Sequence, residues 1–204
     1  MTNRRAKGCL IEIIQTLVLT LVIFVVIQQF VAQPFQVQQL SMQSTIDNGQ
    51  NVLVDRLTPR FDGYHRGDIV VFAPPANAET SRGEPFIKRV IAVGGDTVEL
   101  RDGAVLVNGI ELVEPYLFAV EGTPQPTEPQ SDVTEWVVPD GMLFVMGDHR
   151  MRSSDSRSFG PIEVATVVGR AWLRYWPLAD FGVLVSAEHP ELAAPDASPA
   201  AARP

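Results

Sequence analysis

Cysteine is nearly missing from this sequence. Cys9 is the one thiol in 204 residues, so no internal disulfide can form and no cysteine-based zinc site exists. Histidine is scarce too, at three residues. Positive charge is in short supply: 16 Lys and Arg stand against 24 Asp and Glu, a net charge of -8, which excludes the basic footprint that nucleic-acid binding needs. No long amphipathic helix pattern appears after residue 33, no G-x-S-x-G elbow is present, and no repeat is visible beyond two similar hairpin turns. What remains is apolar material at 46%, enough for a real core in one domain or two small ones.

The one long hydrophobic run is "LIEIIQTLVLTLVIFVVIQQFVA", residues 10–32. At 1.5 Å per residue it spans roughly 34 Å as a helix, enough to cross a bilayer core. It is long for the apolar part of a cleavable signal, and the "QQFVAQPF" that follows makes a poor cleavage region. An uncleaved transmembrane anchor is therefore expected. Arg4, Arg5 and Lys7 precede it and no basic residue follows until Arg56. The positive-inside rule then puts residues 1–9 in the cytoplasm and the rest outside a plasma membrane crossed once. Pro34 is expected to stop the helix. Cys9, at the membrane edge, is a conceivable palmitoylation acceptor, although an incidental thiol is the simpler account.

Beyond the anchor the pattern shortens. "NVLVD" (51–55), "DIVVFA" (68–73), "PFIKRVIAV" (85–93), "MLFVM" (142–146) and "TVVGRAWLRYW" (166–176) are rich in β-branched and aromatic residues and bounded by Gly, Pro and Asp. In "TVELRDGAVLVNGIEL" (97–112), Asp102-Gly103 and Asn108-Gly109 are two-residue turn pairs, so a β-meander is expected. The fold class is thus mostly β: an N-terminal transmembrane helix, then a barrel or paired sheets over 33–186. Residues 119–132, with Pro, Glu and Gln, read as an exposed loop, and 187–204 as a disordered Ala/Pro-rich tail.

Just past the anchor, "QVQQLSMQSTIDNG" presents Ser41 among uncharged polar residues. A serine nucleophile needs a base. His189 adjoins the tail, His65 sits in a polar turn, and His149 follows Asp148, so a Ser-His-Asp triad through His149 is conceivable. Lys88 offers an alternative. As a strand, 86–91 places Phe86, Lys88 and Val90 on one face and Ile87, Arg89 and Ile91 on the other. Burying a lysine lowers its pKa, and a neutral base at pH 7 needs a shift of about 3 units from ~10.4. A lone strand lysine more commonly snorkels to solvent. The loop "MGDHRMRSSDSRSFG" (146–160) adds hydroxyls and carboxylates that are able to orient such a base, or are simply a solvated polar loop.

Five segments in order carry a resemblance: the anchor, "SMQSTI", "RGDIVVF", "FIKRVIAVGGDTVE" and "GDHRMRSSDSRSFG". Together they resemble the signal peptidase I family, membrane-anchored serine–lysine peptidases that remove signal peptides from exported proteins. The resemblance implies a signal-peptidase-type β domain, with Ser41 as nucleophile and Lys88 as general base. It further implies that Ser153 hydrogen-bonds the lysine, that Asp155 and Arg157 form a supporting salt bridge, and that Asp148 holds the loop. Met42, Ile46, Phe86 and Ile87 match positions lining the family's apolar substrate pockets, which admit small side chains before the cut. No metal or organic cofactor is implied. The implied partners are signal peptides of pre-proteins and the lipid bilayer, near the secretion translocon. Trp172, Tyr175 and Trp176 are read either as an interfacial aromatic patch or as ordinary packing.

The sequence departs from the family pattern at four places. Ser44 stands where the family has proline, Gln39 where Gly, Ser or Thr is usual, Leu40 where a small or polar residue is usual, and Arg152 where asparagine is usual. Gln39 is a candidate side-chain donor to the oxyanion. The departures leave room for two other readings: an inactive relative that binds signal peptides or a partner without cutting, and a specialised processing peptidase with another substrate.

Overall fold

The computed structural model describes residues 2–26, 32–78 and 83–193, with side chains of the first segment described over 12–25. Helix α1 runs Thr2–Val26. Its apolar side chains from Ile13 to Val25 are all about half exposed or more. Among the described residues no helix is long and apolar enough to cross a membrane. The expected span of 10–32 is helical to Val26, and 27–31 lie outside the described residues. Its last residue is not helical: β1 (Ala32–Gln36) is a strand, and Pro34 sits inside it opposite Leu53. β1 is an edge strand, where a missing N–H on the solvent side costs no ladder bond.

The strands follow as β2 (Asn51–Asp55), β3 (Ile69–Phe72), β4 (Phe86–Val93), β5 (Thr97–Arg101), β6 (Ala104–Val107) and β7 (Ile110–Glu111). After them come β8 (Ala119–Val120), β9 (Thr123–Pro124), β10 (Glu135–Val137), β11 (Met142–Met146), β12 (Ile162–Glu163), β13 (Val167–Trp176) and β14 (Gly182–Val183). Helices after α1 are single turns, α2 (Pro59–Asp62) and α3 (Ser156–Phe159), besides short 3₁₀ pieces. The large sheet is antiparallel in the order β1-β2-β13-β3-β4-β11-β12, with β14 added to β13; β1 and β12 are its two ends. A second sheet, β10-β5-β6-β7, holds the meander, and β8-β9 form a separate hairpin. Both meander turns take positive φ at both central residues, Asp102-Gly103 and Asn108-Gly109, as the right-handed twist of a tight hairpin requires.

Three apolar clusters share β4 or its neighbours. Ile91 and Ala92 pack with Val98, Val105 and Phe144 between the two sheets. Ile87 joins Met42, Ile46, Val52 and Val54. Phe86 and Val90 join Phe72, Val145, Phe159 and Ile162. Because apolar side chains cover both faces, β4 is buried from Phe86 to Ala92, including its two cations. Mid-strand lysine and arginine are thus removed from water by the sheet's own curvature and neighbours, a placement that costs free energy unless each finds a partner or loses its charge.

Most of the 119–132 segment is exposed, but Thr127 is buried, the Gln130 amide donates to Ser153 O at 2.5 Å, and Arg157 reaches back to Glu128 O at 3.0 Å. Its polar residues serve as backbone clamps on the 146–160 loop, which composition alone does not distinguish from solvation. Residues 187–193, expected in the tail, fold onto the domain. Ala187 N donates to Gly67 O at 3.2 Å, and Pro190–Leu192 form a 3₁₀ turn whose Glu191 caps Val113 N at 2.9 Å. The remainder of the expected tail, 194–204, lies outside the described residues.

Candidate active site

Ser41 opens a tight turn. Ile46 N and Thr45 N both donate to Met42 O, at 2.8 and 3.0 Å, and Gln43 N donates to Leu40 O at 3.1 Å. The turn is pinned from below, since Met42 and Ile46 are completely buried in the core. It is pinned from the side by Ser44 Oγ, which donates to Tyr116 O at 3.0 Å, and by Thr45 Oγ1, which donates to Asp148 Oδ2 at 2.5 Å. Ser44 has φ +95°, a value proline cannot adopt, which accounts for the absence of the family's proline in this loop conformation.

Lys88 Nζ lies 2.7 Å from Ser41 Oγ and donates to Ile87 O at 3.1 Å. Both residues are buried, Ser41 at 2% and Lys88 at 1% exposure. Burial lowers the lysine's pKa to about 8; the carboxylates of Asp155 and Asp148 act against that shift, and Arg157 adds to it. The ammonium also lies 5.0 Å from the centre of the Phe86 ring.

The 146–160 loop closes over this pair. His149 N donates to Ser41 O at 2.9 Å and fixes the nucleophile's backbone. Gly147 has no room for a side chain: a Cβ there would stand 2.3 Å from Ser153 Oγ and 2.5 Å from Ser41 O. Asp155 accepts from Gly147 N at 3.1 Å, caps α3 through Arg157 N at 3.2 Å, and takes both Arg157 Nε and Nη2 at 2.8 Å. Burial pushes the Asp155 carboxyl up, but the Arg157 pair and the surrounding donors outweigh it and hold it below the ordinary carboxylate value. The geometry thus brings Asp155 and Arg157 together in a two-pronged ion pair.

Other expected contacts are arranged differently. Ser153 Oγ is buried, but makes no hydrogen bond to Lys88; it is close enough to Asp155 to help keep that carboxylate ionised. Asp148 pairs with Arg89: Nε meets Oδ1 at 2.9 Å and Nη2 meets Oδ2 at 2.7 Å. His149 does not face the Ser41 hydroxyl. Its Nδ1 lies 3.2 Å from Gln43 Oε1 and its ring stacks on Phe118 at 4.0 Å, so the Ser-His-Asp arrangement is not formed. His65 and His189 sit beside Asp62 and Glu191 instead.

Two clefts flank Ser41 on the anchor side. One, of about 410 Å³, is lined by Gln39, Leu40, Ser41, Phe86, Lys88 and Arg152 among others. It continues through Gln38 and Gln39 into a second of about 260 Å³, built on Pro34–Gln39 with Val71, Glu84 and Ile87. Phe86 and Ile87 therefore line the groove, whereas Met42 and Ile46 do not: they support its floor from within the core. Gln39 lines both clefts.

Sequence reasoning did not single out the second buried system around the loop. Arg89 also donates to Gly67 O at 2.9 Å and lies over the Tyr116 ring at 4.0 Å. Arg150 pairs with Glu114, contacts Thr127, and donates to Gly147 O at 3.1 Å. A signal was present for Arg89, because an arginine between Ile87 and Ile91 on one strand face needs a carboxylate. None was present for Arg150, whose partner is 36 residues away.

On a curled antiparallel sheet, then, a serine hydroxyl touches a buried lysine beneath a loop of fixed ion pairs, and the family the chain matches makes it a serine peptidase. The family model for signal peptidase, peptidase S26, matches residues 10–176. The chain is 36% identical over 178 residues to the probable signal peptidase I-1 of Synechocystis sp., covering 86% of this chain and 87% of that protein. It is 32% identical over 185 residues to signal peptidase IB of Staphylococcus aureus, covering 86% and 94%. A crystal structure of a signal peptidase I from Enterococcus faecalis shares 36% identity and superimposes at a TM-score of 0.43, over 52% of this chain and 95% of that one. The chain belongs to the S26 signal peptidase family.

Proposed function

We propose that this protein is a membrane-anchored endopeptidase that removes N-terminal signal peptides from exported pre-proteins after small residues, with Ser41 as nucleophile and Lys88 as general base. The observation that carries this reading is the 2.7 Å contact between a buried lysine and a buried serine at the floor of an open groove. With a pKa of about 8, roughly a tenth of Lys88 is neutral at pH 7. Docked substrate excludes the remaining water and favours the neutral amine further.

Neutral Lys88 takes the Ser41 hydroxyl proton as Oγ attacks the scissile carbonyl carbon. The carbonyl electrons move onto oxygen, with the Ser41 backbone N–H and the Gln39 side-chain amide, which lines the cleft, as its donors. The lysine ammonium then gives its proton to the leaving amine of the mature chain. The signal peptide stays as an ester on Ser41. Water, losing a proton to Lys88, attacks that ester, and Oγ leaves with the proton returned. Asp155, Arg157 and Gly147 keep the loop backbone against Ser41, and the Asp155 and Arg157 charges pull the Lys88 pKa in opposite directions. The groove accepts the substrate as an extended strand, with small pockets at the first and third positions before the cut.

The exposed apolar face of α1, Leu17 at 64% and Leu21 at 61%, supports a lipid environment for that helix. With Arg4, Arg5 and Lys7 ahead of it, the N-terminus lies in the cytoplasm and the β domain outside the plasma membrane. Ser41 is then at most ~30 Å along the chain from Ala32, so tethering raises the effective concentration of emerging cleavage sites. Trp172 and Trp176, at 40% and 53% exposure, are suited to the headgroup zone beside the domain.

Cleavage of a pre-protein with an Ala-x-Ala site, by full-length protein in detergent, tests the reading. Wild type is expected to cut after the second alanine, and Ser41→Ala and Lys88→Ala not to. A folded wild type that binds the signal peptide without cutting it would establish an inactive binder instead.

A further inference from the structure

The groove does not end at Ser41. Arg152 lines the cleft around the nucleophile and also a third cleft of about 520 Å³, shared with Gln43, Phe118, Gln125, His149 and Met151. The three clefts are neighbours: Gln38 and Gln39 line both the anchor-side cleft and the one at Ser41, and Arg152 lines both that one and the third. The cleft of about 260 Å³ is built on β1, the strand that follows α1. On the reading above, that is the membrane end, where a signal peptide leaves the bilayer. Residues before the cut then lie along β1, and residues after it lie over the third cleft.

The third cleft is built of Gln125, a flat aromatic wall and Arg152, and the last of these points to a peptide bearing negative charge. Gln125 lines the cleft, and its buried side-chain oxygen has no hydrogen-bond partner among the described residues. Phe118 and His149, stacked in parallel at 4.0 Å, give a flat wall. Arg152 is exposed and makes no ion pair or side-chain hydrogen bond among the described residues, whereas the other two arginines of the loop are committed, Arg150 to Glu114 and Arg157 to Asp155. Among the described residues no carboxylate lines the third cleft or the one at Ser41; Glu121 of the β8-β9 hairpin is exposed at its tip, and Glu84 lines the opposite, anchor end. In a protein of net charge -8, this leaves a local cationic site just beyond the nucleophile.

We propose that the third cleft binds the first residues of the chain released by the cut, and that Arg152 selects a carboxylate side chain among them. This rests on the proposed signal-peptide cleavage. Arg152 acts here as a specificity residue and takes no part in the bond changes at Ser41.

The test uses full-length protein in detergent and three pre-protein substrates, identical up to the cut. They carry Asp, Ala or Lys at the second and third positions after it. For wild type, kcat/KM is expected to fall in the order Asp, Ala, Lys, with about a 5-fold span between the ends, as for one solvent-exposed ion pair, and to narrow as salt rises. Arg152→Gln removes the span and Arg152→Glu reverses the order. Because each ratio is taken within one variant, a change in overall activity does not obscure it. Gln125→Ala lowers kcat/KM for all three substrates together. Equal rates for the three substrates with wild type, or an unchanged order in Arg152→Glu, would overturn the proposal and leave the peptidase reading standing. Failure of wild type to cut any of the three would overturn the peptidase reading itself.

Discussion

Two adjacent residues of β4, Lys88 and Arg89, face opposite ways from one strand, and both are almost fully buried at 1% and 2% exposure. Their surroundings resolve the cost of burial in opposite ways. Arg89 keeps its charge: burial disfavours it, but the two-pronged Asp148 pair more than compensates and its pKa is raised. Lys88 has no carboxylate in contact, only a hydroxyl and a carbonyl, and its pKa falls to about 8. The difference teaches what separates structure from chemistry in this domain. A guanidinium cannot lose its proton in water's pH range and so must be neutralised by a partner, which makes it a fastener. An amine without such a partner gives up its proton more readily, which suits Lys88 to the proposed role of base.

The comparison breaks most visibly in activity. Lys88→Met preserves volume and burial and removes the base, so cleavage is expected to fall by at least about 10³-fold, the upper part of the range for a lost general base. Rates on the Ala-x-Ala substrate measure this. Residual activity within tenfold of wild type would mean that Lys88 is not the base.

The next largest effect is on stability, and it belongs to the neighbour. Arg89→Met leaves Asp148 buried without its cation and is expected to cost about 3–5 kcal/mol in unfolding free energy. Changing Asp148 to Asn in the same chain should recover part of that loss, and the double-mutant cycle in denaturant reads the coupling.

Lys88→Met should move stability the other way. The folded lysine's pKa lies below its ordinary value of 10.5, at about 8, so the unfolded chain holds the extra proton between these values. Stability of the wild type therefore rises with pH from about 8 to 10.5, and below pH 8 the burial penalty is present in full. Removing it is worth up to about 3 kcal/mol at pH 7. Melting curves of both proteins across that pH range should converge at the alkaline end. The same ionisation predicts that wild-type kcat/KM climbs with pH and levels above about 8.

The smallest effect lies where the two systems touch. Thr45 Oγ1 donates to Asp148 and is approached by Arg89 Nη2 at 3.2 Å, while its backbone belongs to the nucleophile turn. Thr45→Val is expected to cost about 1–2 kcal/mol by leaving the carboxylate one donor short. A drop in kcat larger than the drop in stability implies, with KM unchanged, that the turn has loosened around Ser41.

Much of this was legible in the chain. The strands 51–55 and 142–146 coincide with β2 and β11, because β-branched runs between Gly, Pro and Asp have few other ways to satisfy themselves. Asn108-Gly109 and Asp102-Gly103 specify their hairpins through local φ preference alone. The alternation in 86–91 put Lys88 and Arg89 on opposite faces before any fold was known. By contrast, the edge role of β1, the buried support given by Met42 and Ile46, and the clamping by 119–132 were not legible, since each depends on a partner distant in sequence.

The sequence by itself determined the period-2 patterning, the turns, the apolar helix, and the residue types that a serine–lysine reaction requires, because these follow from local sterics and from which groups can ionise. Only the tertiary structure decided which cation is paired and which is not. A pKa is set by dielectric and by the charges within a few ångströms. Those neighbours reach β4 from Ser41, 47 residues from Lys88, and from Asp148, 59 residues from Arg89.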